Sequence, residues 1–362
     1  MFIPVLLVSG LLITIFSYFG TKLSIKLSGK FDIFDNPKSN PDRKFQSLPI
    51  PLNGFFFSFI IGMFLTGLIW FLFKIDWNNL GRFLGSGLFF PFKLYWILFG
   101  AAIIYLAGIL DDKFSLKPIY YFSIIFTGLF VTVFLGELKI ESLSYPLSQL
   151  NLKIGILPEI LAFVWIGAAL VCTKFLDGMD GLVASIGTIG FFTIAITAGF
   201  SQSVFQPLIL IFGLIWGFCC LGFLPNNLPN AKTYLGDGGS TIIGYFLGVF
   251  SILSGAKVAT TITVLGWFII DIIFVMIYRI YKYRSIKGLL KGDSSMHWHH
   301  RLLNLGLGKR QVLLITVILT IFSGAIGIFT PTRIKILLIP IQILVILSGF
   351  IYLEYKGKVK KN

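Results

Sequence analysis

The chain has 362 residues, of which 56% are hydrophobic and only 12% charged, with a mean hydropathy of +0.90. A water-soluble surface cannot be assembled from that composition, so the sequence specifies an integral membrane protein. The net charge of +15 suits a face that rests on anionic lipid or handles phosphates. Nucleic-acid binding would need a basic soluble module, and none is present.

Repeated apolar runs of about 17 to 25 residues are long enough to cross a ~30 Å hydrocarbon core as helices and leave almost no length for a soluble domain. Barrel strands would be shorter and would alternate apolar with polar residues, which these runs do not do. The expected fold is all-α, one polytopic membrane domain over residues 1–362 with about eleven transmembrane helices. They are placed near residues 2–20, 50–73, 94–110, 118–136, 155–173, 181–199, 205–224, 239–255, 258–278, 312–330 and 334–354. The first run starts Met1-Phe2-Ile3-Pro4 with no basic segment ahead of it and leads into a lysine-bearing loop, so it reads as a retained anchor. Cys172, Cys219 and Cys220 sit within apolar runs without metal-ligand spacing and read as packing residues.

Lysine and arginine set the orientation. With the N-terminus outside, the inner segments are 21–49, 111–117, 174–180, 225–238, 279–311 and 355–362, and they hold 22 of the 30 basic residues. The C-terminus is then cytoplasmic. Asp111, Asp112, Asp177, Asp180, Asp237 and the segment His297-Trp298-His299-His300-Arg301 all fall on the inner side, while Glu137, Glu141 and Glu159 fall outside.

In chain order, the first inner loop is punctuated by Pro37, Pro41, Pro49 and Pro51 and carries Arg43 and Lys44, which makes it a basic, non-helical connection. Asp111 and Asp112 close the third span and are either a polar helix stop or a pair that shares a proton or ligates a cation. Asp177 and Asp180 are three apart, which on a helix puts both on one face, and Gly178 and Gly181 let a phosphate approach main-chain N–H groups. Asp237, in Leu235-Gly236-Asp237-Gly238-Gly239-Ser240, either caps the helix that follows or presents a carboxylate to a metal. Oxygen donors of this kind suit Mg²⁺, which takes one or two carboxylates together with substrate phosphates. Asp271 lies inside the ninth span as a proton relay or a structural partner to a basic residue. His297, His299 and His300 have no cysteine or fourth ligand nearby to complete a zinc site, so they read as donors on a short amphipathic inner segment.

Taken in order, Gly108-Ile109-Leu110-Asp111-Asp112, Leu176-Asp177-Gly178-Met179-Asp180-Gly181-Leu182, the Leu235–Ser240 segment, Asp271 with Arg279, and His297–Leu302 resemble the polyprenyl-phosphate N-acetylhexosamine-1-phosphate transferases. The likeness begins in the basic loop near Asn36 and Pro37 and covers nearly the whole chain. The His-x-His-His-Arg-Leu form is similar to the branch that uses UDP-N-acetylhexosamines.

The resemblance implies a bacterial cytoplasmic-membrane enzyme that transfers a sugar-1-phosphate from a UDP-sugar to undecaprenyl phosphate, releasing UMP and starting a cell-envelope polysaccharide such as O-antigen. It implies catalytic roles for Asp111, Asp112 and Asp177, and Mg²⁺, with Mn²⁺ as an allowed substitute, at Asp237 and Asp177. Substrate contacts would come from Asp180, Arg43, Lys44, Lys174, His297, His299, His300 and Arg301. The expected partners are the UDP-sugar, the polyprenyl phosphate, membrane lipid and a second copy of the chain.

Four positions depart from the family pattern. Lys174 stands where an Asn is usual, Gln46 where a His is, Asn53 replaces one of two glycines, and Ser294 follows Asp293 in place of Arg. Two other readings compete. One is a secondary transporter, suggested by Asp271 and the glycine-interrupted helices, although no internal repeat is visible. The other is a catalytically silent relative acting as a scaffold, suggested by Lys174.

Overall fold

The structure is a computed structural model that describes residues 2–31, 33–35, 48–75, 93–140, 154–200, 206–254, 258–284, 297–330, 341, 344, 348 and 349. Its helices are α1 (Phe2–Phe31), α2 (Phe56–Ile75), α3 (Leu94–Phe114), α4 (Pro118–Phe130, continued by a π-helical turn Val131–Leu135) and α5 (Leu157–Leu176). They continue as α6 (Leu182–Phe200), α7 (Pro207–Asn227), α8 (Gly236–Leu253), α9 (Val258–Tyr283), the short α10 (Trp298–Asn304) and α11 (Lys309–Phe329). Among the described residues, nine helices are long and apolar enough to cross a membrane, and Phe56–Leu72 is a shorter apolar helix. The chain is therefore an all-α, multi-pass membrane protein. The eleventh expected span, 334–354, lies largely outside the described residues.

The first expected span ends too early: α1 runs on to Phe31, through Lys22, Lys26 and Lys30. Lysines have long apolar stems and extend their charges along a helix surface, so basic side chains mark the membrane boundary without ending the helix. The expected inner segments 111–117, 174–180, 225–238 and 279–311 likewise begin or end as helix. Asp111 and Asp112 belong to the last turn of α3, and Lys174 to the last turn of α5.

The helices α3, α5 and α6 pack around α8, whose 18 residues are almost all buried. Lipid tails are as apolar as leucine, so packing here relies on close approach of small residues and on polar bonds between helices. The Tyr245 hydroxyl of α8 donates to the Ile97 carbonyl at 2.7 Å and pairs with Thr132 at 2.8 Å. The Trp216 ring of α7 lies 4.0 Å from that of Phe246, and its Nε1 donates to Thr66 Oγ1 at 3.1 Å. Ser17 of α1 donates to the Cys219 carbonyl at 2.7 Å.

The bundle sorts its charges to two ends. At one end Lys93 pairs with Glu137 at 2.8 Å and Lys139 with Glu159 at 3.1 Å. At the other end, the strands β1 (Phe34–Asp35) and β2 (Ile50–Pro51) form a two-stranded antiparallel pair. The Tyr234 N–H donates to the Pro51 carbonyl at 2.8 Å, which fixes this pair against the segment that leads into α8.

Candidate active site

Two glycines bring the acidic groups together. A Cβ on Gly108 would run into the backbone of Asp237 and Gly238, so the end of α3 lies directly against the start of α8. Gly236 has a φ of +69° and passes between the Leu52 carbonyl and the Asp112 carboxylate, where a side chain has no space. As a result the Asp237 N–H donates to Asp112 Oδ1 at 3.1 Å and to Oδ2 at 3.0 Å. The residue that satisfies the first turn of α8 is thus Asp112. Asp237 does not cap the helix, because it lies inside the first turn and its side chain faces elsewhere.

That side chain meets Lys174. The lysine Nζ pairs with Asp237 Oδ2, lies 3.4 Å from Asp111 Oδ2, and stands 3.7 Å from the centre of the Tyr121 ring. Asp111 Oδ1 accepts the Leu116 N–H at 3.0 Å and closes the turn after α3.

Asp177 and Asp180 occupy a turn between α5 and α6, in the expected inner segment 174–180 and not on one helix: α5 ends at Leu176, and Gly181, at a φ of +76°, directly precedes α6. Both still face the same space. Asp180 Oδ2 accepts the Asn230 N–H at 3.3 Å and lies 3.5 Å from Lys309 Nζ, and the Gly181 N–H donates to Asn227 Oδ1 at 3.1 Å. Burial, followed by the nearby Asp237 carboxylate, raises the Asp177 carboxyl to about 8.

Asp271 of α9 is a structural partner. His297 Nδ1 donates to its Oδ2 at 2.8 Å and the Trp298 N–H to its Oδ1 at 2.9 Å, so one buried carboxylate holds the start of α10. His299 is buried with its Nε2 against Gly178, and among the described residues this nitrogen has no hydrogen-bond partner. Burial, together with His300 and His297, holds the His299 ring well below the usual histidine range. His300 is lowered as well, mainly by burial. Arg301 places its guanidinium 5.1 Å from the Phe274 ring.

A cavity of about 280 Å³ opens among these groups, lined by Asp112, Asp177, Asp180, Asp237 and His300. The structure therefore gathers Asp111, Asp112, Asp177, Asp180, Asp237, Lys174 and His300 at one end of the bundle, with His299 directly behind. Arg43, Lys44, Gln46, Asp293 and Ser294 lie outside the described residues. Asn53 is accommodated by accepting a hydrogen bond from Ser28 of α1.

Asn227, Tyr234, Asp35 and Lys309 also line the cavity and were missed in the sequence. Lys309 is part of the long basic inner segment, where its charge carries orientation as well as chemistry. Asn227 had a readable signal, as a polar residue closing an apolar helix beside Pro225.

Oxygen donors of this type fit Mg²⁺. No group of three or more His, Cys, Asp or Glu in ligating arrangement occurs among the described residues. An ion that takes one or two carboxylates and completes its shell with water and substrate phosphates does not need one. Asp177 and Asp237 both line the cavity, and one oxygen of Asp237 is already on Lys174.

The structure thus defines a multi-pass helical bundle with a cavity lined by carboxylates at one end. Residues 94–255 match the family model of glycosyl transferase family 4. The chain is 34% identical over 291 residues to a Bacillus subtilis (strain 168) protein named as a probable undecaprenyl-phosphate N-acetylglucosaminyl 1-phosphate transferase, covering 76% of this chain and 79% of that one. It is 28% identical over 267 residues to the decaprenyl-phosphate N-acetylglucosaminephosphotransferase of Mycobacterium leprae (strain TN), covering 66% of this chain and 65% of that protein, just under two thirds of its length. A Staphylococcus epidermidis phospho-N-acetylmuramoyl-pentapeptide-transferase (strain ATCC 12228 / FDA PCI 1200) is 32% identical over 154 residues, 42% of this chain and 46% of that one. The chain belongs to glycosyl transferase family 4.

Proposed function

We propose that this chain transfers a sugar-1-phosphate, N-acetylhexosamine-1-phosphate, from a UDP-sugar to undecaprenyl phosphate. An oxygen of the acceptor phosphate attacks the sugar-proximal phosphorus of the donor and forms a new P–O bond. The bond from that phosphorus to the bridging oxygen breaks, and UMP leaves with the bridging oxygen. The observation that carries this reading is the convergence of Asp112, Asp177, Asp180 and Asp237 on one cavity at the end of a membrane bundle, where a lipid-borne phosphate and a water-soluble nucleotide can meet.

Phosphoryl transfer is mostly positioning and charge stabilisation. In this reading Asp111 and Asp112 orient the acceptor phosphate and accept its proton. Asp177 and Asp237 would hold Mg²⁺, or Mn²⁺ in its place, which when bound supplies positive charge to the donor diphosphate. Asp180, paired with Lys309, borders the nucleotide side. His299 offers its Nε2, which has no partner among the described residues, beside Gly178 to an oxygen of the UDP-sugar, while His297 is held by Asp271 and orients the segment. His300, Lys174, Arg301 and the loop residues Arg43 and Lys44 complete the substrate contacts.

The inner segments that carry these residues hold 22 of the 30 Lys and Arg, which supports a site facing the cytoplasm of a bacterial inner membrane. The product would start a cell-envelope polysaccharide, and the working form would be a homodimer in membrane lipid. The test is to incubate purified protein with undecaprenyl phosphate, Mg²⁺ and a panel of UDP-sugars, UDP-GlcNAc first. Release of UMP is expected, and its absence across the panel rejects the reading.

A further inference from the structure

Lys174 is a cation fixed by covalent attachment among carboxylates. It projects from the last turn of α5, between Asp237 of α8 and Asp111 of α3, with the Tyr121 ring of α4 beneath it. Four helices therefore set its position. The contact with Asp237 Oδ2 uses one oxygen of a carboxylate that also lines the cavity, so the ammonium neutralises part of the charge that would otherwise draw in a divalent ion. Protonated lysine has three donors and no acceptor, so it cannot itself ligate a metal. A unit positive charge in contact with a ligating carboxylate opposes a second cation there by Coulomb repulsion.

We propose that Lys174 is a built-in competitor of the divalent cation at Asp237. It keeps the acid cluster ordered and partly neutralised before substrate arrives, and it leaves Asp237 when the ion binds. The site consequently takes up the ion less tightly than its carboxylates alone would allow. The reading as a Mg²⁺-dependent transferase supplies the identity of the ion, and the test does not require turnover.

The experiment is a Mn²⁺ titration of the full chain in detergent micelles, followed by electron paramagnetic resonance. Lys174→Gln is expected to bind Mn²⁺ about tenfold more tightly than the wild type or better, whereas Lys174→Arg, which keeps the charge, stays near wild type. Equal or weaker binding by Lys174→Gln, or no Mn²⁺ binding by either chain, overturns the proposal. A second measurement uses wild-type protein alone, in case the neutral variant does not fold. Saturating Mn²⁺ should release Lys174 from Asp237 and increase its acetylation by an amine-reactive ester, read by mass spectrometry, while other lysines are unchanged. Unaltered acetylation of Lys174 with Mn²⁺ bound also overturns it. A protein that releases no UMP from any donor yet shows both Mn²⁺ effects rejects the transferase reading and keeps this one.

Discussion

The backbone N–H of Asp237 bonds to both carboxylate oxygens of Asp112, at 3.1 and 3.0 Å, across 125 residues of sequence. This contact fixes the end of α3 to the start of α8. It also orients the Asp237 side chain toward Lys174, because the direction of the first helical turn is set by the group that receives its N–H.

Asp112 therefore has two duties that one substitution separates. Asn at this position keeps a carbonyl oxygen to accept the Asp237 N–H but removes the negative charge. Asp112→Asn is expected to insert and melt within a few degrees of wild type while kcat falls at least about a hundredfold. Thermal melting and UMP release together check it, and wild-type turnover in the variant would remove the charge of Asp112 from the chemistry.

Gly108 tests the close approach of α3 and α8. Gly108→Ala inserts a methyl group against the backbone of Gly238, and the helices must separate to admit it. A loss of about 1–3 kcal/mol is expected, together with reduced turnover, because Asp112 would be drawn away from Asp237. A melting curve unchanged from wild type would show that the helices yield at no cost.

The buried histidine gives a pH dependence with a definite sign. His299 is held well below the usual histidine range, so below about pH 6.5 the unfolded chain binds a proton that the folded chain does not. Stability from this residue is complete above that pH and is lost as the pH falls beneath it. The melting temperature should drop on acidification, and His299→Gln should flatten the drop. An identical acid limb in His299→Gln would assign the effect to other groups.

The same residue separates the two substrates. His299→Ala leaves Gly178 without its neighbour and should raise KM for the UDP-sugar about tenfold or more, with little change for the polyprenyl phosphate. Equal losses for both substrates would count against a donor-side role.

Asp271→Asn probes the anchor of α10. The Asn carbonyl can still accept the Trp298 N–H, but its amide group meets His297 Nδ1 in place of a carboxylate oxygen. Leaving one buried partner unsatisfied costs about 1–3 kcal/mol. Ion-driven uptake in proteoliposomes, abolished by this change, would instead revive a transport role.

Much of the architecture was readable because each span is a long apolar run and the acidic residues stand at their edges. Lys and Arg counts separated Glu137 and Glu159 from the aspartates, and the ion pairs at Lys93 and Lys139 lie at the end of the bundle away from the aspartates. The failures have local causes. The three-residue spacing of Asp177 and Asp180 would place both on one face of a helix, but α5 ends at Leu176 and the pair lies in the turn before α6. Asp237 stands where a capping residue would, yet the cap comes from Asp112, a pairing that depends on tertiary contact and leaves no trace in local sequence. Lys174 was noted as a departure, but its bridging of two helices needs their packing to be seen. The helical extension of α1 past Lys22 shows that a charge at the membrane surface does not end a helix.

All three native cysteines, Cys172, Cys219 and Cys220, are buried inside the bundle. Natural thiols are thus hidden from water-soluble maleimides, and a single cysteine placed at either end can be tagged without stripping out the originals. Side-specific tagging in intact cells would then decide which compartment the acid-lined mouth opens into.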